Sequence, residues 1–318
     1  MMEVNWKRCT GTIPPRGRAL ICALAMTALS ACAGLGVRQH TFATAEGAVD
    51  TLVAAARANH AEGIVTVLGP EGKDLVYSGD SVADKNARER FVTHYDKAHA
   101  IQMEGDDKAI LVIGDKHWPF PIPVIRRGGS WQFDTSAGGK EILDRRIGRN
   151  ELNAIMVCRA IVDAQRDYAE RVRDSDGIVQ YAPKLVSRPG LRDGLYWPVE
   201  AGEPESPIGP LLARARAEGY PDDDYGEREP YHGYYYKMLL RQGPNAPDGA
   251  HEYVVGAHMI GGFALVAFPA NFGTSGIMTF ILNQDGIVYQ KNLGPDTADA
   301  VTAMESFDPD NSWSKVPD

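Results

Sequence analysis

The sequence predicts an α+β protein, and three features of the 318-residue chain lead to this fold class. Segments with apolar residues at helical spacing come first. A stretch free of Gly and Pro then runs over residues 150–173, long enough for a helix of several turns. After residue 231, short aromatic and β-branched segments alternate with turn residues, a pattern typical of antiparallel strands. We therefore expect a small α+β unit, a long central helix, and a sheet packed on that helix.

The N-terminus has the pattern of a secretory signal. Basic residues precede an apolar run at 19–29, which is too short to span a bilayer as a stable helix. Leu29-Ser30-Ala31-Cys32 closes this run and resembles the bacterial lipobox, in which the cysteine becomes the lipidated first residue. The sequence therefore predicts a signal peptide at 1–31 and a short tether at 32–41. The basic residues are Lys7, Arg8, Arg16 and Arg18.

The expected cellular location follows from lipidation at Cys32. Acyl chains on this residue would hold the protein on a membrane, facing the periplasm. Ala33 is not the Asp that tends to retain such lipoproteins at the inner membrane, so the outer membrane is favoured. The alternative is an ordinary signal cut after Ala31, which gives a soluble secreted protein.

Charge and cysteine content limit the partners and the chemistry. Residues 1–31 carry four basic residues and one acidic residue, so their removal changes the formal charge from −9 to −12. Such an acidic body is a poor partner for nucleic acid or for anionic lipid surfaces. Cys9 and Cys22 leave with the signal and Cys32 takes the lipid, so Cys158 alone remains and no intramolecular disulfide is expected. Its place on an apolar helix face favours a buried thiol. No cofactor is expected.

Helices and hairpins are expected in the first domain, at 42–148. Thr44 is the N-cap of the first helix, the second covers Ala61–Leu68, and Asp80 or Ser81 caps a third that runs to about Ala98. Two hairpins follow, one around Gly105-Asp106-Asp107 and one around Arg127-Gly128-Gly129. Their strands are expected at 100–104, 109–113, 121–126 and 130–134.

The second domain, at 149–318, is expected to begin with the central helix. Asn150 is its predicted N-cap, after a short basic helix at 140–147. Later turns are amphipathic, but Leu152 and Met156 point toward the side that becomes charged, so we expect the first turns to be covered on both sides.

Sheet strands are expected after a Gly-, Pro- and acid-rich region at 187–230 that holds one short helix, 210–218. A hairpin turn at Asn283-Gln284-Asp285-Gly286 places Gly where φ is positive. A last helix covers 296–306. The strands are expected at 233–241, 252–255, 262–269, 277–282 and 287–290.

The first domain resembles the nuclear-transport-factor-2-like cone, because its helices lead into a meander that ends in a Gly-Ser-Trp-Gln-Phe-Asp strand at 129–134. Such cones enclose a pocket, and enzymes of this shape use an Asp/His acid–base pair within it. The resemblance therefore makes catalytic candidates of Asp80, His94, Asp96 and His117. The alternative is a pocket filled by Tyr77, Phe91, Trp118 and Trp131.

The second domain resembles the globular head of type II secretion major pseudopilins, through Asn150-Glu151, Tyr181-Ala182-Pro183 and the segment at 285–289. The long apolar half-helix that a filament subunit needs is replaced here by a whole domain, so a filament subunit is not expected. The resemblance implies a calcium loop, for which Asp285 or Asp296 could serve.

Residues 42–314 as a whole resemble the bacterial family called domain of unknown function 2950. Long specific runs carry this resemblance, among them VLGPEGKDLVYSGD, MIGGFALVAFPA and MTFILNQDGIVYQKNLGPDT. The family implies a secreted or anchored envelope protein without an assigned activity.

Metal chemistry is not indicated by the spacing of ligand residues. His94, Asp96 and His99 lie within one predicted helix, but no zinc pair at i, i+4 is present. Asp174-Ser175-Asp176-Gly177 is similar to the start of a calcium loop, yet the later ligands are missing. We expect no metal site there.

An aromatic set at Trp197, Tyr231, Tyr234 and Tyr236 is a possible binding surface for an envelope protein or a glycan. Side chains alternate along a strand, so half of these tyrosines are expected in the core. The sequence thus predicts a non-catalytic binding or assembly component of the envelope. An enzyme with a small-molecule pocket in the first domain is the second hypothesis.

Overall fold

The computed structural model describes residues 38–171, 177–221 and 229–317, which belong to one compact unit, Val37–Asp318. The signal, the lipidation residue Cys32 and residues 174–176 of the calcium-like segment lie outside the described residues. Helices and antiparallel sheets make up the described part, so the α+β prediction is confirmed. Two hydrophobic cores form, one before and one after the middle of the chain.

Three N-terminal helices begin where the sequence predicts, whereas the short helical turns at Pro70–Gly72 and Lys73–Val76 were not predicted. The Thr44 hydroxyl accepts a hydrogen bond from Gly47 N at 3.0 Å, and the Asp80 carboxylate accepts one from Ala83 N at 2.8 Å. Each cap pairs a backbone N–H that the first helical turn leaves unpaired. The helical elements are α1 Ala45–Arg57, α2 Ala61–Leu68, a 3₁₀ turn at Pro70–Gly72, α3 Lys73–Val76 and α4 Ser81–Lys97.

The first sheet is antiparallel and follows the two predicted hairpins. Its order is β1-β2-β4-β5, with β3 paired to β2. Gly128 and Gly129 both have positive φ and form the turn between β4 and β5. The strands are β1 His99–Met103, β2 Lys108–Ile113, β3 Trp118–Pro119, β4 Val124–Arg127 and β5 Ser130–Phe133.

The central helix α5, Thr135–Arg171, has 37 residues and begins much earlier than predicted. The predicted helix at 140–147 belongs to it, and the predicted N-cap Asn150 lies in its interior. Asn150 is buried there, and its Nδ2 donates to the Ser275 carbonyl at 2.9 Å, which offsets the cost of burying the amide. Leu152 and Met156 are 65% and 52% exposed, so the expectation that these turns are covered on both sides is wrong.

The C-terminal sheet packs on α5 through the second core. Its strand order is β15-β13-β12-β11-β6, all antiparallel, and the predicted turn at Asn283–Gly286 joins two of the strands. The elements are α6 Gly209–Ala217, β6 Tyr234–Leu239, β7 Arg241–Gln242, β8 His251–Glu252, β9 Val254–Val255, β10 His258–Met259, β11 Ala264–Pro269, β12 Met278–Asn283, β13 Tyr289–Asn292, α7 Thr297–Thr302, β14 Ser306–Phe307 and β15 Ser314–Lys315.

Asp80 ties the two halves together. Its Oδ2 atom accepts hydrogen bonds from the Tyr220 hydroxyl and from Gly233 N, both at 2.8 Å. Burial raises the pKa of Asp80, while the donated hydrogen bonds oppose that rise. The Asp80 carboxylate thus accepts hydrogen bonds from Ala83 N, the Tyr220 hydroxyl and Gly233 N. These bonds stabilise the junction between the first and second halves of the chain.

Of residues 38–171, 177–221 and 229–317, none belongs to a helix with both the length and the apolar character needed to cross a bilayer.

Two glycines of α5 allow a matched test of its packing. A Cβ on Gly138 would meet the Pro121 carbonyl oxygen at 2.0 Å, whereas a Cβ on Gly148 would meet no atom within 4 Å. We expect Gly138→Ala to lower the free energy of unfolding by on the order of 1–3 kcal/mol through overpacking. Gly148→Ala should raise it by about 0.5–1 kcal/mol, because Ala favours the helix. Urea unfolding of both variants measures this, and equal effects would contradict the packing of α5 on the first half.

Candidate functional site

An open cleft of about 860 Å³ lies in the first half of the molecule. Helices α1, α2 and α3, the β2–β3 turn, helix α4 and the first half of α5 contribute residues to its wall. Its volume falls within the range of about 300–1,000 Å³ that is typical of small-molecule sites. This cleft is the candidate functional site.

The inner wall of the cleft is apolar. Side chains from α1, α2, α3, β2 and α5 form it, and most of them are buried. Phe91 and Phe120 extend this surface, with ring centroids 5.5 Å apart. The aliphatic members are Leu52, Ala56, Ile64, Leu68, Leu75, Val76, Ile113 and Ile142. Such a wall can bury the hydrocarbon of a ligand but can form few hydrogen bonds with it.

The mouth of the cleft is cationic, although the chain has a formal charge of −9. Seven Lys and Arg side chains line the cleft against two Asp side chains, an excess of five positive charges. Most of these side chains are exposed, so they surround the opening. The cationic residues are Arg88, Arg90, Lys97, Lys116, Arg145, Arg146 and Arg149. A low-dielectric wall next to such a cluster focuses the field on an anion.

Some of these cations are used within the fold. Lys97 pairs with Asp115, and Arg145 pairs with Glu141 while its guanidinium lies 5.2 Å from the Trp118 ring centroid. Arg88 donates to the Asn59 side chain at 2.6 Å.

Arg146 is held by neutral acceptors. It donates to the Asp74 carbonyl at 2.9 Å and to the Leu75 carbonyl. Burial lowers its pKa, the nearby Asp84 carboxylate opposes this, and Arg149 lowers the pKa further. Its positive charge is therefore only partly compensated.

Arg90 on α4 and Arg149 on α5 face the same opening without a carboxylate partner in the part of the chain that the structure describes. Desolvation lowers the pKa of Arg149, and the neighbouring Arg90 lowers it further. Two guanidinium groups held near each other repel, so this arrangement costs stability in the free protein. Perturbed pKa values cluster at functional sites, so this pair makes the opening a candidate site for an anion.

Helix α4 forms one wall, and it contacts the first core only through partly buried side chains, Phe91, Val92 and Tyr95. Asp84 is the one buried residue over its 17 positions, and its carboxylate accepts a hydrogen bond from Ser78 N at 2.9 Å. Phe91 is only partly buried beside the cleft. The helix therefore presents one side to the cleft and the other to solvent.

The four catalytic candidates are not brought together. His94 and His117 line the cleft, and His117 has a positive φ of 50° in the turn after β2. Asp80 is occupied at the junction described above. Asp96 is exposed and forms a two-bond ion pair with Arg57 at 2.6 and 2.8 Å. The two acids are therefore bound elsewhere, and neither lines the cleft.

The four residues expected to fill the pocket are also separated. Phe91 and Trp118 line the cleft, Tyr77 is 42% exposed, and Trp131 is buried in β5, where its backbone bonds that of Phe42. The cleft consequently stays open.

The predicted aromatic surface is not exposed, because Trp197, Tyr231, Tyr234 and Tyr236 are all buried in the second core. The hydroxyls of Tyr231 and Tyr236 find no hydrogen-bond partner among the described residues, and both residues line a separate cavity of about 20 Å³. These rings stabilise the fold and do not form a docking face.

The remaining candidates show no ligand geometry. Asp285 accepts a hydrogen bond from Asn283 Nδ2 at 3.2 Å, and Asp296 precedes α7. Within the described ranges, no three His, Cys, Asp or Glu side chains are grouped to hold a metal ion. Cys158 is fully buried, and burial raises its pKa well above the usual value.

The comparisons with known proteins agree with one resemblance. A family model described as Protein of unknown function (DUF2950) matches residues 39–316. No curated protein and no solved structure matches the chain. The likenesses to the nuclear-transport-factor-2-like cone and to pseudopilin heads therefore stay predictions.

Sequence reasoning missed the cations of the mouth. Arg145 and Arg149 are spaced i, i+4, and this spacing on one helix face was the available signal. Their partner Arg90 comes from another helix, so its position depends on tertiary packing.

Replacing Arg149 with Gln should increase the free energy of unfolding by a few tenths of a kcal/mol, because it relieves a solvent-screened repulsion with Arg90. The matched control is Arg57→Gln, which removes a guanidinium that is paired with Asp96 and should not stabilise. Urea unfolding at low salt detects the gain, and high salt should reduce it. A loss of stability in Arg149→Gln at both salt concentrations would show that its charge is already compensated.

Proposed function

The chain belongs to the family described as protein of unknown function DUF2950, and we propose that it is a non-catalytic binding component of the bacterial envelope whose first-half cleft holds an anionic ligand. One observation carries this proposal: an apolar cleft is lined by both Arg90 and Arg149, two like charges without a carboxylate partner among the described residues. A bound anion would pair with both groups and would remove their repulsion.

The proposed location is the periplasm, with the protein held on the membrane by lipid at Cys32 and with the outer membrane as the favoured site. The lipobox-like Leu29-Ser30-Ala31-Cys32 supports this location. A protein at this location is exposed to periplasmic solutes and membrane lipids and not to nucleic acid. The acidic body supports the same exclusion.

An envelope protein or a glycan was the partner expected from the aromatic residues. The burial of Trp197, Tyr231, Tyr234 and Tyr236 removes the support for a partner on that face. The cleft therefore becomes the binding site in this proposal.

The enzyme hypothesis stays second. His94 and His117 share the cleft, but acid–base catalysis also needs a partner within hydrogen-bond reach. Asp80 holds the junction and Asp96 pairs with Arg57, so neither carboxylate is positioned to assist them.

Anionic binding can be tested with the purified full chain and the fluorescent dye anilinonaphthalene sulfonate, which joins an apolar ring system to a sulfonate. We expect saturable one-to-one binding that weakens with added salt and falls about tenfold in Arg149→Gln, since a charge-assisted contact is lost. Arg57→Gln is the control, because its guanidinium lies outside the cleft, and it should bind like the natural protein.

Fluorescence titration measures this affinity. Absence of saturable binding, or equal weakening in both arginine variants, would overturn the proposal. Circular dichroism of each variant checks that the fold is kept.

A further inference from the structure

The cleft joins two surfaces of different chemistry, and a ligand that fits both must be amphiphilic. Buried aliphatic side chains such as Ile64, Leu68 and Ile113 line its interior, while Arg90 and Arg149 flank its opening. From this arrangement we infer that the cleft takes a single-chain lipid with a phosphate head group. The inference rests on the proposed function and names the ligand class for that site.

The two arginines without a carboxylate partner indicate which head group the ligand carries. Arg90 and Arg149 approach from two helices, and each guanidinium can donate two parallel hydrogen bonds to an oxyanion. A phosphate monoester carries a charge of about −1.5 to −2 at neutral pH, so one group can pair with both arginines. A carboxylate carries one charge and would leave one guanidinium unpaired.

Among the described residues, the interior of the cleft offers no free charged side chain to a ligand, and this indicates a hydrocarbon tail. The charged side chains of the lining that are not exposed are already used: Asp84 accepts from Ser78 N, Arg88 donates to Asn59, and Arg146 donates to the carbonyls of Asp74 and Leu75. The two histidines of the lining are exposed and do not reach the interior. A nucleoside or a sugar would need further partners for its ring nitrogens or hydroxyls, and burying them unpaired is costly. An acyl chain needs none, and it gains from the apolar contact.

The volume of the cleft matches a ligand with one chain. At about 30 Å³ for a water-sized group, a cleft of about 860 Å³ holds on the order of thirty such groups. One acyl chain with its head group is within this number, whereas two long chains with a head group exceed it.

An exposed apolar strip continues from the mouth. Leu152 and Met156 lie about one and two turns beyond Arg149 on the same side of α5, and both are exposed. A lipid that enters or leaves the cleft can keep its hydrocarbon in contact with this strip.

Displacement of bound anilinonaphthalene sulfonate from the full chain tests the inference with three probes used below their micelle thresholds. Lysophosphatidic acid carries both chain and phosphate, the matching monoacylglycerol lacks the phosphate, and glycerol phosphate lacks the chain. We expect lysophosphatidic acid to displace the dye at a concentration at least about tenfold lower than either of the other probes.

Two variants locate the ligand. Arg149→Gln should weaken lysophosphatidic acid about tenfold and leave monoacylglycerol unchanged. Ala87→Phe should weaken the lipid probes, because Ala87 lines the cleft from the half-buried side of α4 and a larger side chain there fills its space without disturbing a core. Arg57→Gln is again the control and should match the natural protein.

Each other outcome overturns the inference in a distinguishable way. If glycerol phosphate displaces the dye as well as lysophosphatidic acid does, the ligand is a free phosphate compound. If monoacylglycerol does so, the protein does not recognise the phosphate head group. Saturable dye binding without displacement by any probe rejects the lipid but keeps the anion site. Absence of dye binding rejects the proposed function itself.

Discussion

Helix α5 passes through both halves of the molecule without a break, and the geometry of the other elements depends on that continuity. Its 37 residues extend over about 55 Å. Arg145 and Arg149 in its first part border the cleft, Asn150 bonds the loop before β12, and Val157 and Cys158 enter the second core. Because one rigid rod carries all of these residues, the rotation that buries the core face also sets which side chains face the cleft.

The electrostatics of the cleft contrast with those of the chain. A protein with a formal charge of −9 collects seven cationic side chains around one opening. Some of them are compensated by ordinary contacts, as Lys97 is by Asp115. Arg90 and Arg149 are not paired with a carboxylate in the described ranges, and their repulsion gives no advantage to the free fold. A ligand that supplies negative charge explains why this arrangement is tolerated.

Local signals were enough to predict much of the fold, but contacts between distant residues were not. Thr44, Asp80 and the Gly128-Gly129 turn act within a few residues, and their effects were visible in the sequence. Asn150 has the chemistry of an N-cap, yet its partner is a carbonyl 125 residues away. Alternation along β6 predicted that some tyrosines are buried, but it did not show that α5 and its neighbours cover that face. A pocket in the first domain was expected, but its cationic side chains were missed, because separate elements supply them.

The most direct test of this account is native mass spectrometry of the protein released gently from its own cells. We expect a bound mass that matches a single-chain phospholipid, present on the natural protein, reduced on Arg149→Gln and kept on Arg57→Gln. A natural protein that carries no such adduct, under conditions that retain a comparable lipid on a known carrier, would contradict the claim that this cleft is built for an anionic amphiphile.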